Sequence, residues 1–212
     1  MATDPPKTVR AQEAPSHARA DSSVLSSAGV VLDDLAIRRA LMRIAHEIVE
    51  RVSDPSALYL VGIPNGGVPL ARRIAANLRE IADLDVPVGV LDTTLYRDDL
   101  VSSRARPQLR GTEMPSAVDD NVVILVDDVA STGRTIRAAM DALMDFGRPR
   151  AVQVVALVDR GPRELPIKID YVGKNIAAAP GDRVKLQVLD PEAPSESALE
   201  MVLLRSDEET SG

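Results

Sequence analysis

The chain has 212 residues, 45% of them apolar and 27% charged, and a net charge of −7. That is ample for one globular domain with a substantial core, and the charge excludes a surface given over wholesale to nucleic acid. With no cysteine and two histidines, disulfides and thiolate metal sites are excluded, an imidazole-built zinc centre is disfavoured, and a cytoplasmic protein is expected.

No apolar run approaches the ~18 residues a membrane-spanning helix needs, and no hydrophobic leader opens the chain. Residues 1–28 are rich in Pro, Ala, Ser and charge and read as a disordered tail. Residues 206–212 (SDEETSG) read as a second tail, leaving one domain over 29–205. Its first element is a helix, DDLAIRRALMRIAHEIVERV, which Asp33 or Asp34 can cap. Ile37, Leu41, Ile44, Ile48 and Val52 recur at helical spacing and define its buried face. ALYLVGI (57–63) is a short buried strand, followed by a Gly-Gly turn and the helix GGVPLARRIAANLREI. VPVGVLD (86–92) is the next strand, and VVILVDD (122–128) and AVQVVALVD (151–159) are continuous apolar runs suited to strands covered on both faces. KLQVLD and EMVLLR close the domain as edge or extension strands. Alternation of strands and helices predicts an α/β domain around a mostly parallel sheet.

The stretch VVILVDDVASTGRTIRAAM (122–140) carries the chemistry. A buried strand delivers Asp127 and Asp128 to its carboxyl end, where open α/β sheets place ligands. A turn over Ser131–Thr135 follows, with Gly133 permitting close backbone approach. A helix then presents Ile136, Met140 and Leu143 or Phe146 to the sheet and stops at Gly147, with Pro149 just beyond. Unpaired N–H groups at the helix start, with the hydroxyls of Ser131, Thr132 and Thr135, suit a phosphate dianion. Carboxylates repel a phosphate, so the acidic pair is better used accepting hydrogen bonds from neighbouring hydroxyls. A phosphate beside a vicinal diol describes ribose 5-phosphate. The lysine of a P-loop is absent from the turn.

VVILVDDVASTGRTIRA resembles the phosphoribosyl-pyrophosphate (PRPP) signature of type I phosphoribosyltransferases. AIRRALMRIAHEIVER, LDTTLYRDDL, MDALMDFGRPRAVQVVALVDRG and RELPIKIDYVGKNI resemble, in order, the bacterial PyrR family, and the likeness covers nearly all of residues 30–190. The resemblance implies a type I phosphoribosyltransferase fold: a central, mostly parallel sheet flanked by helices, with a flexible lid hairpin and a small hood. It implies two functions, uracil phosphoribosyltransferase (uracil and PRPP giving UMP and pyrophosphate) and regulation of pyrimidine genes by uridine-nucleotide-dependent binding of messenger RNA, acting on transcription termination or translation. It further implies magnesium carried on PRPP, UMP or UTP as ligands, and a homodimer or higher homo-oligomer. An RNA-binding regulator with little catalysis, or a phosphoribosyltransferase for another base, are the alternatives.

Carried onto this chain, the resemblance makes Asp127 and Asp128 the ribose-binding catalytic carboxylates and Ala130, Ser131, Thr132, Gly133, Arg134 and Thr135 the 5-phosphate site. Pro64, Asn65, Gly66 and Gly67 take the place of the pyrophosphate loop. The family's usual Thr-Arg-Gly is missing there, which removes a cation, so restoring arginine at Asn65 or Gly66 is expected to raise turnover. TLYRDDLVSSRARPQLRGTEMP (94–115) becomes the lid, with Tyr96 and Arg97 approaching pyrophosphate and Arg97 acting in catalysis. Uracil would be read by Asp159, the ring of Tyr171 and the backbone of Val172, and RNA by Arg39, Arg43, His46, Arg163, Lys168 and Lys174. Ser131 stands where the family has tyrosine and purine enzymes aspartate, which argues against a purine substrate. Pro162 replaces the histidine usual before the arginine of the Arg-Glu-Leu segment.

Overall fold

The structure, a computed structural model, describes residues 28–64, 66–97, 111–179, 181–189 and 198–204. In chain order the elements are β1 (Ala28–Leu32), α1 (Asp34–Arg51), β2 (Leu58–Gly62), α2 (Gly67–Ala82), β3 (Val88–Val90), β4 (Val122–Ala130), α3 (Arg134–Leu143), β5 (Ala151–Asp159), β6 (Tyr171–Asn175), β7 (Arg183–Val188) and β8 (Leu199–Leu204). A five-stranded sheet has the order β3-β2-β4-β5-β6, every neighbouring pair parallel. A second, three-stranded antiparallel sheet has the order β1-β8-β7. The α/β expectation holds, and within the main sheet the strands are wholly parallel.

Both faces of the main sheet are covered, which is why its central strands read as unbroken apolar runs. Along β2, Leu58 and Leu60 enter one core with α1, α2 and the small sheet, while Tyr59 and Val61 enter the other with α3. Side chains alternate sides along a strand, so each strand feeds both cores. The face expected of α1 is the one buried: Ile37, Leu41, Ile44 and Ile48 are at most 1% exposed. Its N-cap is Asp33, whose carboxylate accepts the Ala36 N–H at 2.7 Å. On α3 the buried face is Ile136, Ala139, Ala142 and Leu143, whereas Phe146 is 40% exposed. The helix gives way to a 3-10 turn over Met144–Phe146, and this rotates Phe146 away from the sheet.

Two assignments change in three dimensions. DYVGKN, expected in the hood, forms β6 and pairs in parallel with β5 as the edge of the main sheet. The hood is instead built from β7, β8 and β1, a strand that starts at the boundary of the expected N-terminal tail. Asp34 fastens this hood to the helices: it accepts the Leu199 N–H of β8 at 3.0 Å and the Arg38 Nε of α1 at 2.6 Å, with Arg73 of α2 at 3.4 Å. Partial burial alone would raise the Asp34 carboxyl, but the Leu199 amide and the guanidinium groups hold it below its ordinary value. Most of the expected lid, residues 98–110, lies outside the described residues.

Candidate functional site

The site sits at the carboxyl edge of the main sheet, where β2, β4 and β5 end. β4 is the central strand and carries Asp127 and Asp128 near its end, with Asp127 level with Ala156 of β5 and the preceding Val126 level with Gly62 of β2. Asp127 is 5% exposed. Burial drives its carboxyl well above the ordinary carboxylate range, and the neighbouring Asp128 pushes in the same direction, with Arg97 opposing. Burial also raises Asp128, although its contact with Asp127 and the amide of Leu186 favour its charged form. Burial works against a doubly ionised pair, and Asp127 is the more strongly raised of the two. Each is also locked to the backbone, Asp127 accepting the Asp128 N–H and Asp128 the Val129 N–H, both at 3.0 Å. Arg97 at the lid base therefore lies within electrostatic reach of the pair.

After Ala130 the chain turns through Ser131, Thr132 and Gly133 into α3, with Gly133 at φ +91°. An L side chain rarely adopts that angle, and a Cβ there would press on Ile167 at 3.2 Å. The carbonyls of Ala130, Ser131 and Thr132 are tied back by the segment after β5. Ala130 O accepts the Arg160 N–H at 2.9 Å, Ser131 O the Arg163 Nη1 at 2.8 Å, and Thr132 O the N–H groups of Glu164 and Leu165 at 3.1 Å. An ion pair of Arg134 with Glu164 at 2.8 Å closes the bracket. With the carbonyls held on one side, the turn's N–H groups face the other. Among the described residues, those of Ser131, Thr132 and Gly133 are donated to no protein acceptor. The Thr132 hydroxyl accepts the Arg134 N–H at 3.3 Å. The result is an open nest at a helix start, suited to an anion.

The loop after β2 closes the other flank. Gly66 and Gly67 are packed so tightly that a Cβ on Gly66 would strike the Asp128 carboxyl and one on Gly67 the carbonyl of Val126. An arginine at Gly66, expected to raise turnover, would have to displace the Asp128 carboxyl. Asn65 lies outside the described residues, and Pro64 is half-buried in the turn before α2.

Other expected residues are placed elsewhere. Tyr171 cannot face a base: it is 1% exposed in the core, donates its hydroxyl to Gln153 Oε1 at 2.9 Å and lies under Arg51 at 5.1 Å. It starts β6 level with Val155, far down the strand from the ligand edge. The Val172 carbonyl is likewise taken, by Arg43 Nη2 at 3.0 Å. The Tyr96 hydroxyl turns to Asp145 beside α3 rather than toward pyrophosphate. Asp159 does reach the ligand edge, but its carboxylate is paired with Arg163 at 2.7 Å and accepts the Gly161 N–H at 2.8 Å.

This pairing also removes Arg163 from the set expected to face RNA; its side chain is 15% exposed and braces the phosphate turn. Arg39 and His46 are exposed on α1. Arg43 and Lys174 are exposed but hold carbonyls, of Val172 and Gly173 and of Val31 respectively, and Lys168 is 83% exposed beside Asp170. Missed in the sequence was Leu186, whose backbone amide carries the hood to Asp128. No side-chain signal marks a residue that acts through its N–H.

The phosphoribosyl transferase domain family matches residues 27–190. The chain is 53% identical over 164 residues to the bifunctional protein PyrR of Pelotomaculum thermopropionicum, covering 76% of this chain and 91% of the relative. It belongs to the PyrR family. The PyrR of Bacillus velezensis is 49% identical over 166 residues, 77% of this chain and 92% of that one. Among solved structures, a hypoxanthine phosphoribosyl transferase of Trypanosoma cruzi superposes with a TM-score of 0.61 at 20% identity, covering 88% of this chain and 95% of that chain. At that identity it is the type I fold that is shared.

Two outcomes follow from this geometry. Asp127 has its folded pKa raised, so the folded state binds the extra proton and stability falls as pH rises from the ordinary carboxylate value through the raised one. Asp127→Asn is therefore expected to raise Tm at neutral pH by on the order of 3 °C, the gain fading on acidification; calorimetry across pH checks it. Gly66→Arg is expected to displace Asp128 and lower UMP formation rather than raise it, at least tenfold by the rule that a small misplacement costs about a hundredfold. Increased turnover in steady-state assays would show that the loop yields instead.

Proposed function

We propose that the chain is a uracil phosphoribosyltransferase whose nucleotide site also governs binding to the messenger RNA of pyrimidine genes. The observation that carries the reading is the juxtaposition of a buried acidic pair and an amide-lined turn at the end of one strand, in a chain of the PyrR family. Membership supplies the name of the reaction; the site supplies the reason this chain can do it.

Asp127 and Asp128 would accept the ribose hydroxyls, and the turn from Ala130 to Thr135 would hold the 5-phosphate. Bond exchange at C1 of the sugar passes through an oxocarbenium-like state, so a fixed carboxylate pair below the ring and a fixed phosphate contribute positioning and electrostatic stabilisation. Arg97 approaches from the lid base, where its charge complements the acidic pair and a departing pyrophosphate. Among the described residues no group of three or more His, Asp or Glu side chains converges as a metal cage. The donor set suits magnesium arriving on the diphosphate of PRPP, where it neutralises the leaving group.

The RNA surface we assign to one flank of the molecule. α1 packs along the edge strand β6, joined by Arg43 to Val172 and Gly173, while Lys174 of β6 reaches Val31 of β1 just before α1, so Arg39, Arg43, His46 and Lys174 share that side. On a chain of net charge −7, such binding is local and salt-sensitive. A dimer or higher assembly would set two such flanks side by side.

Formation of UMP from uracil and PRPP with magnesium tests the enzyme. Asp128→Asn is expected to cut turnover about a hundredfold or more, as losing a fixed transition-state contact does. Turnover absent from the wild type, with UMP still tightening RNA binding, would favour the sensor-only alternative. For RNA, Arg39→Ala is expected to weaken binding of a pyrimidine-operon leader and flatten the salt dependence by about one unit of slope, with UMP formation unaltered. An unchanged slope in filter-binding titrations would remove α1 from the interface.

A further inference from the structure

The acidic pair and the cations of α1 belong to different elements, so RNA binding that depends on a nucleotide needs a physical connection between them. Two elements touch Asp128 from outside its own strand. β7 lies against β4 and brings the Leu186 amide to the carboxylate. The start of α2 brings Gly66, so close that a Cβ there would strike the same carboxyl. Both elements lead back to one residue of α1. Asp34, in the first turn of that helix, accepts the Leu199 N–H of β8 at 3.0 Å and faces Arg73 of α2 at 3.4 Å. Arg38, one turn further on, holds the Asp34 carboxylate at 2.6 Å and is the chain neighbour of Arg39.

Between Leu186 and Leu199 the path is stiff. β7 and β8 pair in antiparallel along their length, with Leu186 level with Met201 and Val188 level with Leu199. Leu186, Leu199 and Met201 are buried in the same core as Ile37 and Leu41 of α1. A shift of β7 is therefore not absorbed locally: it moves the ladder and repacks the apolar face of α1 behind Arg38 and Arg39. Close-packed surfaces of this kind pass between discrete arrangements rather than deforming gradually.

The ligand supplies the bias. A carboxylate offers about four acceptor positions, and on Asp128 the N–H groups of Val129 and Leu186 already draw on them, with Asp127 alongside. Ribose hydroxyls donating to Asp128 compete with the Leu186 N–H, so a bound nucleotide favours an arrangement in which β7 is released from β4. A ligand shifts an equilibrium only by its differential affinity for the two states, and this competition is where the difference arises. We propose that Asp34 is the junction through which nucleotide occupancy sets the RNA affinity of α1, with the hood sheet and α2 carrying the displacement to it.

This assignment rests on the reading of the chain as a nucleotide-governed RNA binder. The test is the affinity of the full chain for a pyrimidine-operon leader RNA with and without UMP, in wild type, Asp34→Ala and Asp34→Asn, with Tm recorded for each. UMP is expected to tighten RNA binding by wild type about five- to a hundredfold, the range of ordinary coupling between sites. Asp34→Ala should bind each ligand alone but bring that ratio down to about one. Asp34→Asn, which keeps an oxygen acceptor for the Leu199 N–H, should retain part of the coupling. Wild-type coupling in Asp34→Ala overturns the proposal. So does an RNA affinity that falls by the same factor with and without UMP, because a merely structural role leaves the ratio unchanged. Should Asp34→Ala unfold, hydrogen exchange of the wild type decides: UMP must speed exchange at the Leu186 amide and alter it at the Leu199 amide. Unaltered exchange at either amide overturns the route. A wild type whose RNA affinity ignores UMP overturns the regulatory reading itself, and is recognisable because no variant enters that comparison.

Discussion

Two carboxyl groups on adjacent residues at the end of a buried strand are the constraint around which the rest is arranged. Two neighbouring acids out of water repel each other and are poorly solvated, and the fold answers with backbone N–H groups. Asp128 and Val129 supply amides from within the strand, and Leu186 supplies one from the hood. The glycines after β2 come so close that no side chain fits between them and the pair. Stability is thus spent where the ligand binds, and the ribose hydroxyls would replace an internal hydrogen-bond arrangement that costs the folded protein something to keep.

The same economy explains the turn after β4. Its amides face a ligand only because its carbonyls are held from behind, and nearly everything that holds them comes from residues 160–165. Arg163 joins Asp159 to the Ser131 carbonyl, so the segment that ends β5 braces the phosphate site. In the family's terms this segment suggested RNA contact. In the folded chain its arginine is an internal strut, and the exposed cations lie instead along α1 and the β6 edge.

The hood links these parts. β7 reaches Asp128 through the amide of Leu186, and β8, its partner in the small sheet, reaches Asp34 at the start of α1 through the amide of Leu199. Nucleotide site and the helix that carries Arg39 and His46 are therefore joined by a short chain of contacts running through one three-stranded sheet. Both contacts are backbone donors to carboxylates, which is why a reading of side-chain types passes over them.

Local patterns carried much of this protein. The apolar period of α1, the unbroken runs of β4 and β5, and the strand–Asp-Asp–turn–helix order depend on residues close in sequence, and their physics is the same before and after folding. Side-chain chemistry at a distance was decided elsewhere. DYVGKN has the alternation of a strand but nothing in it says which sheet; pairing with β5 put Tyr171 level with Val155 and buried it. Arg163 and Lys174 read as surface cations until the acceptors Ser131 O and Val31 O, far away in the chain, came within reach. Composition and short-range spacing determined the fold class, the acidic pair and the phosphate turn. Only the tertiary structure decided which charged groups are already satisfied and which still await a partner, because that depends on neighbours brought together by strand order.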